Sequence, residues 1–197
     1  MTVAPTLHAW VDESMHVAGR SLDEGVYLLA ATVADIDHIA EIRDRLRSLL
    51  MGKNQRLHWR DESSKRRRTI AATIAEYEIA HTVVIGTPLN QHKQERARRI
   101  CMELLLMELD RRGVQQVWIE SRKTNQDSRD LKMVDAVRSK SLISAALRLD
   151  FAQPTAEPML WVPDAVAGAL GAALKSADAL PRELLAAAVT ELPVRLV

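Results

Sequence analysis

Three acidic side chains stand where regular structure gives way to a turn: Asp12, Glu120 and Asp164. Asp12 closes the run Leu7-His8-Ala9-Trp10-Val11 and is followed at once by Glu13 and Ser14. Glu120 closes a second run, Val117-Trp118-Ile119. Asp164 follows Pro163, a residue type favoured at the first position of a helix. Carboxylates brought together with few other donors suit Mg2+ or Mn2+, hard ions that prefer oxygen. Two such ions about 4 Å apart can activate water and stabilise the leaving oxygen of a phosphodiester. Zinc is disfavoured, because no two histidines have the His-x-x-x-His spacing and the chain has a single cysteine. Each acid also has an ordinary use: Asp12 as a turn cap, Glu120 in an ion pair with Arg122, Asp164 as a complement to the helix dipole. Glu13, Asp127 and Asp130 are candidate auxiliary ligands. His58, beside Trp59 and Arg60, is a candidate for proton transfer or substrate contact, weighed against the commoner structural role of a lone histidine.

The elements that must position these groups follow from periodicity. Leu7, Ala9 and Val11 alternate with His8, Trp10 and Asp12, the pattern of a strand. Successive strand side chains point to opposite faces, so Asp12 shares the Trp10 face and Glu13 points away. An acid ending a strand on that face lies where ligands of open α/β sheets bind. Residues 26–33 read as a buried strand, and the short polar connection from Met15 to Gly25 makes it antiparallel to the first. Ile39, Ile42, Leu46, Leu49 and Leu50 recur at helical spacing, capped by Asp35 or Asp37 and stopped by Gly52. Residues 56–60 read as a short strand, entering through 61–64 a helix that carries Ile70, Ile74 and Tyr77. Residues 82–87 form a strand stopped by Pro88. Residues 91–112 form a long helix whose apolar side is Ile100, Cys101, Leu104, Leu105 and Met107. A strand at 114–120, a loop at 121–130, a helix at 131–138, a strand at 146–151 and a loop at 153–158 follow.

The last strongly apolar stretch leads into a helix from Pro163 to about Ser176, in which Asp164, Gly168 and Gly171 share a face. An interior glycine costs a helix about 1 kcal/mol, and close packing of that face on the sheet is the expected compensation. It would carry Asp164 to the sheet end. Residues 182–190 read as one more helix. Two strands joined without a helix, then alternating helices and strands, indicate a mixed sheet flanked by helices. The expectation is one α/β domain over residues 1–197, with its core at 7–176 and a helical tail at 177–197. Neither G-x-G-x-x-G nor a Walker loop occurs, so no nucleotide cofactor is expected.

At 47% hydrophobic, 197 residues can bury a substantial core, and with only 4% aromatics that core must be aliphatic. Cys101 alone excludes an internal disulfide and reads as a buried thiol in a reducing compartment. No basic-then-apolar leader is visible and no apolar run approaches the ~18 residues of a membrane span, which points to a cytoplasmic protein without a membrane partner. The net charge of +1 is unevenly spread: residues 41–68 hold ten basic against four acidic groups, residues 91–148 thirteen against eight, and both ends are acidic. Lys65, Arg66, Arg67 and Arg68 are four consecutive cations in a first helical turn, opposed by the macrodipole and too many for local pairing. With Arg60 and Arg122 they are the candidates for phosphate contact. Cations around an acidic pocket suit a metal-dependent nuclease, the bland alternative being a solvated arginine-rich surface.

At these residues the chain resembles the DUF3800 family, a group described as having a ribonuclease H-like fold. The resemblance is carried by Trp10-Val11-Asp12-Glu13-Ser14, residues 26–33, Leu57-His58-Trp59, Ile119-Glu120-Ser121-Arg122 and the helix start Pro163-Asp164-Ala165-Val166-Ala167-Gly168-Ala169. It spans about residues 7–176. Met15-His16 stands where the family carries a glycine after the acidic pair, and Val-Pro replaces its usual approach to the late helix. The resemblance implies a ribonuclease H-like mixed sheet and a nuclease-like acidic site on Asp12, Glu120 and Asp164. The resulting expectation is a Mg2+- or Mn2+-dependent nuclease. The alternatives are a non-catalytic nucleic-acid- or partner-binding protein on the same fold, in a defence or mobile-element setting, and a hydrolase of smaller phosphate esters, which a narrow closed pocket would favour.

Overall fold

The computed structural model describes residues 5–19 and 22–196. A six-stranded sheet forms its middle layer, in the order β5-β4-β1-β2-β3-β6. β1 (Leu7–His16) pairs antiparallel with β2 (Val26–Asp35), and β2 antiparallel with β3 (Ala80–Thr87). β4 (Gln116–Glu120) lies parallel to β1, β5 (Arg148–Ala152) parallel to β4, and β6 (Val189–Arg195) parallel to β3. Only β2 therefore runs against the others, because its link to β1 is too short for a crossover helix.

Period-2 alternation divides the core into two layers, as the sequence predicts. Trp10, Leu28, Ala30 and Val83 face α1 (Ile39–Ser48), α2 (Ser64–Ala75), α5 (Trp161–Leu174) and α6 (Leu180–Leu185). Ala9, Val11, Leu29, Val117 and Ile119 face α3 (Gln94–Arg111) and α4 (Thr124–Ser139). None of these helices is long and apolar enough to cross a membrane.

Several boundaries differ from the expected ones, each for a physical reason. β1 does not end at Asp12: its ladder with β2 continues to His16, paired with Val26. What ends at Asp12 is the other ladder, because the last β1–β4 pair is Val11 with Ile119. Residues 56–60 are not a strand. They form an irregular segment entering a 3-10 turn at Trp59–Asp61, since Leu57 and Trp59 are buried by packing on helices and not by a ladder. Residues 124–130, expected as loop, are the first two turns of α4, where the Gln126 side chain accepts from the Lys123 N–H and only Asp130 among them is buried. α5 begins two residues before Pro163. The C-terminal segment is not wholly helical: after α6 it becomes β6, whose alternating Leu192 and Val194 complete the core. Along α3, Cys101 and Leu105 are buried as expected, whereas Ile100 and Leu104 are half-buried and Met107 is exposed, because the face centred on Met102 and Leu106 takes the sheet.

One polar pair is sealed into the centre. His81 and Thr32 are fully buried on neighbouring strands, with Nδ1 and Oγ1 3.0 Å apart. Burial lowers the His81 pKa to about 4, so the folded protein keeps this ring neutral while the unfolded chain protonates it near 6.5. Stability conferred by the neutral ring is present above pH 6.5 and is lost as the pH falls toward 4. Urea titrations across that window should show a loss of up to about 3 kcal/mol. His81→Asn, which cannot titrate, should flatten the slope; an unchanged slope would rule out His81 as its source.

Candidate functional site

Where the β1–β4 ladder stops, the sheet opens into a cleft of about 660 Å3 bounded by β1, β4, α5 and the 56–61 segment. All three predicted acids line it. Asp12 stands one residue past the last β1–β4 pair, Glu120 is the final residue of β4, and Asp164 lies in the first turn of α5.

Their electrostatics are mutually unfavourable. The Asp12 pKa is pushed well above the usual carboxylate range, first by burial, then by the charges of Asp164 and Glu120. The Glu13 N–H, donating to Asp12 Oδ1 at 2.7 Å, opposes that shift. Glu120 is also raised, chiefly by burial. The Arg56 guanidinium, 3.6 Å from Oε1, and a hydrogen bond with Asp12 counteract this, while Asp164 adds to it. Asp164 Oδ2 accepts from the Trp59 N–H at 2.8 Å and lies 3.1 Å from His58 Nδ1. That contact raises the His58 pKa.

Carboxylate oxygens are the donor type that hard divalent cations take. Asp12 and Asp164 each have one oxygen fixed by a backbone N–H, Oδ1 and Oδ2 respectively. Among the described residues Asp164 Oδ1 receives no hydrogen bond, and beyond the Glu13 N–H Asp12 shares one only with Glu120, so the carboxylates are oriented without being saturated. Among the described residues no group of three or more acidic, histidine or cysteine side chains is gathered closely enough to hold a metal ion as it stands. The three carboxylates are neighbours at one cleft floor, held by three separate elements.

Two glycines of α5 shape the wall, Gly171 by the close packing on the sheet expected of this face and Gly168 against the 56–61 segment. A Cβ on Gly168 would lie 2.1 Å from the Trp59 indole, and one on Gly171 would lie 2.0 Å from His16 Nε2. The helix interior gives up side chains so that two rings can lie against it. Trp59 in turn carries the Arg67 guanidinium 5.5 Å from its ring centroid, and its N–H fixes Asp164.

The remaining candidates divide. His58, Arg60, Arg67 and Arg122 line the cleft. Glu13 also reaches it, but from the opposite sheet face, where it accepts from Tyr27 Oη and from Arg98. Asp130 is buried against Arg98 at 2.8 Å and Arg122 at 3.2 Å. Asp127 closes the α4 entrance, accepting from Ser121 Oγ at 2.8 Å and from the Arg122 N–H at 2.9 Å. The cations of 65–68 are not left without local partners: Arg66 pairs with Glu62 and donates to the Leu49 carbonyl, Arg67 donates to the Trp59 and Arg60 carbonyls, and Arg68 pairs with Asp178. Lys65 is exposed. Glu120 takes Arg56, not Arg122, as its cation. Arg56, His16 and Lys175 are lining residues that sequence reasoning missed. For His16 the available signal was its even spacing from Asp12 on one strand face.

No family model matches the chain, and no curated protein matches it. Among solved structures it is similar to the ribonuclease H2 of Pyrococcus horikoshii, at 13% identity and a TM-score of 0.52 over 92% of this chain and 76% of that one. A ribonuclease HII of Archaeoglobus fulgidus, solved in a complex with PCNA, is similar at 15% identity and a TM-score of 0.47 over 81% and 69%. The fold is thus ribonuclease H-like: a mixed six-stranded sheet flanked by helices.

Gly168 provides a direct test of how the wall is built. Gly168→Ala should displace Trp59, destabilising the protein by about 1–3 kcal/mol and altering tryptophan fluorescence. Unchanged urea midpoint and emission would mean that the ring does not need the glycine.

Proposed function

We propose that the protein is a divalent-metal-dependent phosphodiesterase acting on nucleic acid, with Asp12, Glu120 and Asp164 as the ligands of Mg2+ or Mn2+. The observation that carries this reading is the convergence of Asp12, Glu120 and Asp164, from three separate elements, on one cleft. A protein that only bound nucleic acid would gain nothing from three carboxylates on the cleft floor, since they repel phosphate. With cations between, the same three groups attract it. The DUF3800 resemblance at residues 10–14, 119–122 and 163–169 supports the assignment, and the ribonuclease H-like fold is compatible with it. The cleft, open to solvent at the sheet end, favours a polymer over a small ester.

When bound, the divalent ion would supply Lewis-acid stabilisation and an acidified water. The chain's own residues do the rest. Backbone N–H groups of Glu13 and Trp59 hold Asp12 and Asp164 in fixed orientations. His58 turns Nδ1 to Asp164, which leaves Nε2 to exchange a proton with substrate. Arg56 moderates Glu120, while Arg60, Arg67 and Arg122 give the cleft the cations that phosphates require.

The test is a panel of single- and double-stranded DNA and RNA in Mg2+ and in Mn2+. Cleavage by the purified protein should fall at least about a hundredfold in Asp12→Asn, since losing a ligand should exceed the 10–100-fold loss typical of outer-shell groups. His58→Ala should lower kcat about 100–10,000-fold. Full activity in Asp12→Asn would remove the assignment, whatever the substrate.

A further inference from the structure

The cleft holds uncompensated charge of both signs, kept apart. Toward the C-terminal ends of β1 and α5 it is lined by His16 and Lys175, with Arg60 near enough to act on both. Arg60 is exposed and Lys175 half-buried, and among the described residues neither forms an ion pair. They repel one another: Arg60 and burial lower the Lys175 pKa. His16, pressed against Gly171 with Nε2 3.3 Å from Ser14 Oγ, is lowered to about 4 by burial and by these two cations, so it adds no charge of its own at neutral pH. Two cations that repel one another in a cleft, with no carboxylate paired to either among the described residues, are arranged for an anion supplied from outside.

The spacing says which anion. Asp12 and His16 lie on one face of β1, four residues or about 13 Å apart. Asp164 and Lys175 are eleven residues apart along α5 and its cap, about 16 Å. Both elements run the same way, since Gly171 meets His16. A stacked strand advances about 3.4 Å per nucleotide, so the two ends of the cleft are about four nucleotides apart. We infer that Arg60 and Lys175 form a phosphate subsite for the backbone of a strand whose other contact, about four nucleotides away, is the carboxylate cluster. The occupant is an oligonucleotide and not a mononucleotide or dinucleotide. The strand's identity rests on the phosphodiesterase reading; the anion subsite does not.

The test measures binding with Ca2+ in place of Mg2+ or Mn2+, the oligonucleotides checked as uncut on a gel, by fluorescence anisotropy of labelled oligothymidylates and oligouridylates of two, four, eight and twelve nucleotides. For wild type, affinity should step up once the strand exceeds about four nucleotides. The surface double variant Arg60→Gln/Lys175→Gln, with its melting temperature checked against wild type, should bind the octamer about tenfold more weakly. Its plot of log affinity against log salt should be shallower by about 0.7, one single-strand phosphate, with the dinucleotide unaffected. An unchanged octamer slope, or an equal loss for the dinucleotide, would overturn the subsite. An octamer bound with the expected slope but never cut in Mg2+ or Mn2+ would uphold the subsite and remove the phosphodiesterase reading instead.

Discussion

Repulsion among three carboxylates that share one partly desolvated floor is the constraint around which this molecule is arranged. Two like charges 4 Å apart cost about 4 kcal/mol at an effective dielectric near a protein surface, a large part of the stability of a domain this size. The chain relieves some of that cost. Arg56 stands against Glu120, His58 and the Trp59 N–H against Asp164, and the Glu13 N–H against Asp12. None of these places a full positive charge on Asp12, whose pKa remains well above the ordinary range. A site that stabilised itself completely would have no affinity left for a cation.

The rest of the fold serves to hold that floor in place. Because β1 loses its parallel neighbour after Val11 but keeps its antiparallel one to His16, Asp12 is rigidly mounted at an open edge. Alternation sends the adjacent carboxylate to the opposite face, where Glu13 joins Tyr27, Arg98 and Asp130 in a buried ionic network. That network anchors the same peptide whose N–H holds Asp12. On the other wall, glycines at 168 and 171 let Trp59 and His16 lie against α5, and Trp59 passes its N–H to Asp164. The two ring-bearing segments thereby join α5 to the loop and to the sheet.

Much of this was legible in the sequence because it depends on local pattern. The period-2 runs at 7–12 and 117–120 assign Asp12, Glu120 and Glu13 to their faces, and the proline before Asp164 marks its helix. What could not be read depends on partners far apart in the chain. The continuation of β1 to His16 is decided by β2, since Glu13-Ser14-Met15-His16 has no strand pattern of its own. The tail at 189–195 is a strand because β3 offers an open edge. Arg66 and Arg68 look unpaired in sequence only because Leu49 and Asp178 reach them in space, and Glu62, four residues back, pairs only once α2 forms. Arg56 and Lys175 carry no motif, and only the fold brings them to the cleft.

The central claim, that the floor is destabilised until a divalent cation occupies it, is tested most directly by thermal melting with and without Mn2+. Occupancy at a hundred times the dissociation constant stabilises by about 2.7 kcal/mol, and each kcal/mol moves the Tm of a domain of this size by about 2–4 °C. Wild type should therefore gain about 5–10 °C in saturating Mn2+. Metal-free Asp12→Asn should melt above metal-free wild type and respond weakly to the ion. A wild-type Tm indifferent to Mn2+, together with an Asp12→Asn variant no more stable than wild type, would contradict the account.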